Sequence, residues 1–478
     1  MARLTDRRSF LWTSGGGLGG LALTSLLDQE GLLTGDDLAD SQVNEVLPHR
    51  PAKCKSVIQI FCPGAVSQVD TYDYKPELEK KSGTAFDASG KLKFFASKPG
   101  NLQKSYFKFS QHGESGRWLS SLFPNLCKCV DDMAFVYSMH NKSALHGPAT
   151  FMMNTGFTLP GFPSMGSWIT YGLGSENENL PAFVVLPDLR GVAPGGPANW
   201  GAGFLPAVFQ GTSIQVTGQG PPIADLQPPL DPVITGAGEK RLRSFIDRLN
   251  KEHLSSRLGR NDLEARIKAY ELSARLQLSA PEVTDLHQET EKTKSMYGLG
   301  INRFESFGRQ CLMARRLVER GVRFVQVFCG ADNIAPPRPN WDAHEDLQVN
   351  HGRHGPVLDR GAAALIQDLK QRGLLEETLV ICATEFGRQP AAQGKGRDHN
   401  PGAFTTWMAG GGIKGGVSYG VSDEIGYKAA VNPTYSYDLH ATALHLLGID
   451  HKKLTYYHNG IQRRLTDVHG QVITDLVA

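Results

Sequence analysis

Short runs of apolar, mostly β-branched residues recur along the chain, and stretches with helical spacing separate them. The clearest runs are residues 56–61, 134–137, 182–186, 322–328 and 378–383. Helical patterns lie at residues 117–132, 304–319 and 356–371. Strands that alternate with helices indicate crossover connections, which join parallel strands and place helices on the faces of the sheet. The sequence therefore predicts an α/β fold, with a mainly parallel sheet flanked by helices on both faces.

The composition is that of a globular protein. Of the 478 residues, 40% are hydrophobic and 21% are charged, which allows a large core. We expect residues 50–478 to form one α/β domain. Residues 240–296 are charged, with few large hydrophobic residues on any one helical face, so we predict a helical insertion there. The net charge of +2 gives no strong field for nucleic acid, and we expect no such partner.

The N-terminus carries the pattern of an export signal. Arg7 and Arg8 are followed by Phe-Leu and by a weakly apolar, glycine-rich run at about residues 17–27. This order is similar to a twin-arginine signal, and the run is too short to span a bilayer; the alternative is an amphipathic N-terminal helix. We assign residues 1–40 to signal and linker. We expect the twin-arginine export machinery as a partner and a periplasmic or secreted location.

Carboxylate and imidazole side chains follow three of the predicted strands. They are Asp70 after the first run, Asp342 and His344 after the fourth, and Glu385 and His399 after the fifth. Ligands of open parallel sheets bind beyond the carboxyl ends of the strands, and these side chains bind divalent cations. The sequence therefore predicts a metal site. The competing interpretation is ordinary loop chemistry, such as an aspartate in a turn or an ion pair within a loop.

Several other residues are expected to have structural roles only. His351 and His354 are predicted to lie on the surface or at a helix entry. His440 is predicted to pack at the start of a helix, for which Asp438 is a suitable N-cap. The seven cysteines are odd in number and scattered, which is not the pattern of a disulfide framework.

Taken in order, these segments resemble the alkaline phosphatase and sulfatase superfamily, most clearly at residues 359–387 and 438–448. More closely, the chain resembles a bacterial family of secreted proteins called domain of unknown function 1501, from about residue 57 to residue 477. The motifs that carry this resemblance are SQVDTYD at 67–73, NWDAH at 340–344, EFGR at 385–388 and GRDH at 396–399.

The superfamily resemblance implies roles for the strand-end residues. Asp70 stands where the metal carboxylate of the first strand is expected. Asp342 and His344 stand where an Asp and His pair serves the other metal, although their spacing is shorter than usual. Glu385 stands where the superfamily has a metal-binding aspartate and is also a catalytic candidate. His399 matches the late metal-binding histidine that precedes a strand.

Two positions depart from the superfamily pattern. Phe386 replaces the second ligand that normally follows the position of Glu385. When the sulfatase pattern is aligned on its Thr-Gly ending, the nucleophile position falls on His146, which cannot become a formylglycine. Imidazole can bind metal or accept a proton, so we predict that His146 is catalytic and joins the metal shell, unless it packs at a helix entry. Ser143 is the main rival nucleophile, and Thr150 is a weaker one.

The resemblance implies an exported metal-dependent hydrolase of sulfate or phosphate esters that uses metal-activated water. The expected cofactor is a divalent ion (zinc, calcium, magnesium or manganese). The expected substrate is an anionic ester, for example in a sulfated or phosphorylated polymer. The alternative is a non-catalytic periplasmic or surface binding protein that retains the fold, which the change at Phe386 favours. A serine hydrolase is disfavoured because no G-x-S-x-G motif is present.

Overall fold

The computed structural model describes residues 47–87, 100–177, 179–188, 193–215, 236–255, 285–330 and 340–478, and the single positions 267, 271 and 283. Residues 47–478 form one compact unit. The predicted signal and linker at residues 1–40 lie outside the described residues, as does much of the predicted helical insertion. The division into these segments therefore stays a prediction. None of the described helices is both long and apolar enough to cross a membrane.

The centre of the unit is a sheet of eight strands. In chain order these are β1 Ser56–Phe61, β2 Met133–Met139, β3 Phe183–Leu186, β4 Thr212–Ser213, β5 Phe324–Phe328, β6 Thr378–Ala383, β7 Phe404–Ala409 and β8 Val417–Tyr419. Their order across the sheet is β8-β2-β7-β6-β1-β5-β3-β4. Within this sheet β7 runs antiparallel to β2 and β6, and the other neighbours are parallel. The predicted mainly parallel sheet is confirmed.

Helices cover both faces of this sheet, as predicted. The described helices are α1 Gln68–Thr71, α2 Pro76–Lys80, α3 His146–Thr155, α4 Met165–Leu173, α5 Gly236–Ser255, α6 Glu291–Tyr297, α7 Asn302–Glu319, α8 Leu347–Gln371 and α9 Ser436–Leu446. Successive side chains of β1 point to opposite faces. Ile58 and Ile60 belong to the buried cluster that includes α7 and α8, whereas Val57 and Phe61 belong to the cluster that includes α3, α4 and α9.

The helix predicted at residues 117–132 is wrong. Residues Arg117–Ser120 form a strand that pairs with Phe109–His112, and only single 3-10 turns follow, at Leu126–Lys128 and Val130–Asp132. The carboxylate of Asp359, on α8, accepts the backbone N–H groups of Asn125 and Leu126. These donors are thereby satisfied without a helix, which an isolated sequence pattern does not reveal.

Helix α8 begins nine residues before the predicted helix at 356–371. Asp346 caps it by accepting the N–H of Val349 at 3.0 Å. This extension places His351 and His354 inside the helix, where both are buried, so the prediction of a surface position for them is wrong. The Nε2 atom of His351 accepts the N–H of Ser67 at 3.0 Å. Burial lowers the pKa of His351 to about 3, which keeps the ring neutral in this role.

Helix α9 begins at Ser436, so Asp438 is not its N-cap. Asp438 instead accepts the backbone N–H of Tyr435, the capping residue, at 2.9 Å. His440 is buried, and its ring pairs with the carbonyl of Met153 at 2.8 Å. Four small strand pairs lie outside the central sheet among the described residues: Phe109–His112 with Arg117–Ser120, Gly387–Arg388 with His399–Asn400, Val421–Ser422 with Ala429–Val431, and Tyr456–His458 with Ile461–Arg463.

Candidate metal centre

Three histidines and one aspartate meet at the carboxyl ends of the central strands. His146 is the first residue of α3, beyond β2. Asp342 and His344 lie between β5 and α8, and His399 lies in a short strand, His399–Asn400, that pairs with Gly387–Arg388 beyond β6. This is the edge where open parallel sheets bind ligands. Chain segments far apart in sequence therefore contribute to one site.

The oxygen Oδ1 of Asp342 faces the Nε2 atoms of all three histidines. The distances are 3.0 Å to His344, 3.5 Å to His146 and 3.6 Å to His399. The ligand atoms of His146, Asp342 and His399 all lie within 4.8 Å of one another, and so do those of His344, Asp398 and His399. The two groups share His399. Imidazole nitrogen and carboxylate oxygen at this separation are a suitable donor set for a divalent cation.

The second nitrogen of each histidine ring is engaged behind the site. Nδ1 lies 2.6 Å from the carbonyl of Ala144 for His399, 2.6 Å from Glu385 Oε1 for His146, and 2.5 Å from Gln393 Oε1 for His344. The carboxylate and the carbonyl can only accept, so Nδ1 of His146 and Nδ1 of His399 donate, whereas the tautomer of His344 is set by the orientation of the Gln393 amide. Such oxygen partners fix the tautomer and orientation of metal-binding histidines.

The arrangement of the three Nε2 atoms is compatible with a bound cation. The Nε2 atoms of His344 and His399 lie 2.8 Å apart, so their two lone pairs cannot face each other: either one ring donates an N–H to the other or a metal cation lies between them. Among the described residues, the buried Nε2 of His146 has no hydrogen-bond partner. Burial, reinforced by the nearby Arg388 guanidinium, lowers the pKa of His399 to about 2. The ring of His399 is therefore neutral and able to bind metal.

Arg388 holds the carboxylate of Asp342 in position through a buried ion pair. Its side chain is fully buried, and Nη2 donates to Asp342 Oδ1 at 2.6 Å. The remaining guanidinium donors reach backbone carbonyls, including that of Ala65 at 3.1 Å. The turn after β1 packs closely here: a Cβ on Gly64, whose φ is +105°, would lie 2.5 Å from the backbone nitrogen of Asp342. Only glycine fits this approach.

Glu385 lies behind His146 and outside both groups of ligand atoms. Its Oε1 accepts from His146 and from the N–H of Gly64 at 2.8 Å, and its Oε2 accepts the hydroxyl of Thr384 at 3.1 Å. Burial opposes ionisation of Glu385, but the hydrogen bond and positive character of His146 outweigh it and lower the pKa of Glu385. In this geometry Glu385 positions His146. Its predicted roles as a ligand and as a catalytic group stay predictions.

Asp70 is not brought to this cluster. Its carboxylate pairs with Arg397 at 2.7 Å and also accepts the hydroxyl of Ser67 at 2.5 Å and the N–H of Tyr106 at 3.0 Å. Burial raises the pKa of Asp70, but the Arg397 charge outweighs it and the net pKa is lowered. A metal would have to compete with a buried guanidinium for this carboxylate. The predicted ligand role of Asp70 thus stays a prediction.

Two further residues complete the surroundings of the centre. Asp398 belongs to the second group of potential metal-binding residues, together with His344 and His399. Its Oδ1 atom lies 3.9 Å from His344 Nδ1. Asp398 directly precedes His399 in the GRDH motif, and this adjacency is the feature of the sequence that could have indicated Asp398 as a candidate ligand. Phe386 is buried, and its ring centroid lies 4.9 Å from that of His146 and 4.7 Å from that of His399. An apolar ring therefore forms one wall of the centre.

The change Glu385→Gln is expected to weaken metal binding by about 10- to 100-fold, the usual cost of losing an outer-shell partner. The amide oxygen can still accept from His146, but it no longer raises the basicity of the ring. Metal affinity should be measured by competition with a chromophoric chelator. Glu377→Gln is the matched control, because this carboxylate is half exposed and pairs with Lys55 on the surface. Equal affinities in the two variants would contradict the positioning role.

Comparisons with known proteins give one family and several distant structures. The sequence model described as "Protein of unknown function (DUF1501)" matches residues 54–477. No curated protein matches the sequence. Among solved structures, a lipoteichoic acid synthase from Listeria monocytogenes is 11% identical, with a TM-score of 0.38 over 90% of this chain and 79% of that one.

Two more solved structures are similar at the same level. A sulfatase from Pseudoalteromonas sp. is 12% identical, with a TM-score of 0.31 over 90% of this chain and 77% of that chain. A mutant of TAB5 alkaline phosphatase is 9% identical, with a TM-score of 0.32 over 75% of this chain and 92% of that chain.

Proposed function

The chain belongs to the family of proteins of unknown function DUF1501, and from this premise we propose that it is an exported metal-dependent hydrolase of sulfate or phosphate esters. The observation that carries the proposal is the convergence of three imidazoles on the carboxylate of Asp342, with the Nε2 atoms of His344 and His399 2.8 Å apart. A divalent metal bound there would supply a Lewis acid that neutralises the ester and activates water.

The donor set favours zinc among the four ions considered. Imidazole nitrogen suits zinc, whereas magnesium, calcium and manganese prefer sites built from carboxylate, carbonyl and water oxygens. His146, His344 and His399 would hold the metal through Nε2, and Asp342 through a carboxylate oxygen. Glu385, Gln393 and the carbonyl of Ala144 would keep the three rings oriented.

We further propose that no side chain of this site acts as the nucleophile. Both nitrogens of His146 are directed, one at Glu385 and the other towards Asp342, which suits a ligand. Thr150 is fully buried within α3 and out of reach of a substrate. Ser143 lies in the loop before His146, and its hydroxyl accepts the N–H of Leu145 at 3.1 Å. A covalent phospho- or sulfo-enzyme trapped on Ser143 would overturn this part of the proposal.

The class of substrate rests on the motifs similar to those of the alkaline phosphatase and sulfatase superfamily. A cationic centre at the carboxyl edge of the sheet suits an anionic ester. Export by the twin-arginine route, which the first residues favour, would place the enzyme where sulfated or phosphorylated polymers are available.

A second candidate function is a periplasmic or surface binding protein without catalysis. Two observations favour it: Asp70 is engaged by Arg397, and the buried ring of Phe386 takes the place of a further ligand. Both reduce the number of groups that could hold a second metal. This candidate predicts tight binding of anionic ligands without turnover.

Metal analysis and an ester panel test the two candidates. The full chain, purified without chelators, is expected to contain stoichiometric zinc and to hydrolyse 4-nitrophenyl phosphate or 4-nitrophenyl sulfate. Removal of the metal with a chelator should abolish turnover, and zinc should restore it. Stoichiometric metal without turnover of any ester would favour the binding protein. Folded chain that neither contains nor binds zinc would overturn the metal centre itself.

A further inference from the structure

The loop of residues 140–145 forms one wall of the metal centre. It leads from the carboxyl end of β2 to His146. The carbonyl of Ala144 holds His399 at 2.6 Å, and the amide of Asn141 donates to the carbonyl of Glu385 at 2.7 Å. Lys142, in the middle of this loop, is exposed. Lys142 precedes His146 by four residues, which span at most about 14 Å, so a group bound by Lys142 lies within the length of a short oligomer from the metal centre.

Aromatic side chains hold Lys142 in place. Its Nζ lies 3.2 Å from the hydroxyl of Tyr437, 4.9 Å from the centroid of the Tyr437 ring and 5.8 Å from that of Tyr435. Tyr435 caps α9 and Tyr437 lies in its first turn. An exposed lysine normally samples many rotamers. Contacts with two ring faces and a hydroxyl restrict the ammonium group to one side of the loop.

The charge of Lys142 is not compensated by an ion pair in the part of the chain that the structure describes. No carboxylate oxygen there lies within 4.0 Å of Nζ. Asp438 is the acidic residue at the start of α9. Its two oxygens accept the backbone N–H groups of Tyr435 at 2.9 Å and Gln471 at 2.8 Å. The ammonium group thus keeps donors available for an external acceptor.

Two imidazoles adjoin the same tyrosines. The ring centroid of His140 lies 3.6 Å from that of Tyr435, and that of His469 lies 4.7 Å from that of Tyr437. The Nε2 atom of His140 is buried and has no hydrogen-bond partner among the described residues. His140 Nε2 is enclosed and does not reach an external oxyanion, so the patch offers the exposed ammonium group of Lys142 with the hydroxyl of the buried Tyr437 beside it.

We propose that Lys142 and the adjacent Tyr437 hydroxyl form an anion-binding subsite for a second sulfate or phosphate group of the substrate. The inference rests on the proposed function and narrows it: the substrate is a polymer or oligomer with more than one charged ester. The metal centre receives one ester group while the subsite holds a neighbouring one. The connecting loop fixes the spacing between the two sites.

Binding of polyanions to the zinc-loaded full chain tests the proposal. Isothermal titration calorimetry with a heparin hexasaccharide and with inorganic polyphosphate distinguishes sulfate from phosphate. Lys142→Ala is expected to weaken binding of the preferred polyanion about tenfold, the loss of one charge-assisted hydrogen bond. Tyr437→Phe should weaken it less, and Lys142→Arg should retain most of the affinity. The ratio of polyanion affinity to affinity for inorganic sulfate or phosphate should fall in parallel.

Lys128→Ala is the matched control. Lys128 is also exposed, but it precedes β2 and so lies at the opposite end of the same strand from Lys142. Equal polyanion affinities in the Lys142→Ala and Lys128→Ala variants, or no polyanion binding by the parent chain, would overturn the subsite. If the parent chain binds polyanion through Lys142 but holds no zinc, the proposed function fails and the subsite stands.

Discussion

His399→Ala is expected to leave the metal centre essentially empty. His399 belongs to both groups of ligand atoms, so no alternative arrangement of the described side chains avoids its loss. A structural zinc site contributes about 10–16 kcal/mol in all. One ligand in four then corresponds to roughly 2.5–4 kcal/mol, or about a 100- to 1,000-fold weaker affinity. Metal content after dialysis, measured by mass spectrometry, should fall from stoichiometric to trace.

His287→Ala is the matched control for this experiment. His287 is exposed and lies in the short helix Leu286–Gln288, away from the strand ends, so its replacement should leave metal content unchanged. Circular dichroism should show that both variants are folded. Stoichiometric metal in folded His399→Ala protein would rule out this residue as a ligand.

The positions of these candidate ligands at the strand ends could be predicted because strand ends are visible as a local sequence pattern. A buried strand is visible in sequence as a run of apolar residues, and its carboxyl end is the edge where ligands bind. Asp342, His344 and His399 follow such runs. The observed β1 and β6 begin and end where the runs at 56–61 and 378–383 do. Chain order and strand ends therefore predict that Asp342, His344 and His399 lie at one edge of the sheet, but they also predict Asp70 at the cluster, where the structure does not place it.

The roles within the site depend on side-chain distances that no local pattern contains. Glu385 follows a strand end, as a metal ligand would. Its carboxylate nevertheless contacts Nδ1 of His146, the ring nitrogen that points away from Asp342. His146 was indicated only by the resemblance to sulfatases, because nothing in its own segment marks a ligand. The partnership of Asp70 with Arg397 joins residues 327 positions apart. This ion pair can be recognised only from the three-dimensional packing of the two loops that carry Asp70 and Arg397.

Two buried arginines, Arg388 and Arg397, link the four family motifs in pairs. Arg397 of the GRDH motif binds Asp70 of the SQVDTYD motif, and Arg388 of the EFGR motif binds Asp342 of the NWDAH motif. Each guanidinium also donates to backbone carbonyls of neighbouring loops. The arginines thereby fix the loops that carry the candidate metal ligands. In this arrangement Asp70 is part of the support of the site.

Asp70→Asn is accordingly expected to destabilise the protein by about 3–5 kcal/mol, because it leaves the fully buried guanidinium of Arg397 without a counter-charge. Chemical denaturation should show a lower midpoint. Asp132→Asn is the matched control, since Asp132 pairs with Lys370 at the surface and such a pair contributes at most about 1 kcal/mol. Asp70→Asn protein that is folded at low temperature should retain stoichiometric zinc.

Acid should reduce the difference between the parent chain and the Asp70→Asn variant. The pKa of Asp70 is lower in the folded state than the value of about 3.9 in an unfolded chain. The stabilisation is therefore complete well above pH 4 and is lost as the pH falls through the folded pKa. Denaturation midpoints at pH 7 and at about pH 3 measure this convergence. If Asp70→Asn instead loses its zinc at pH 7 without loss of stability, Asp70 is a metal ligand and Arg397 is not its essential partner.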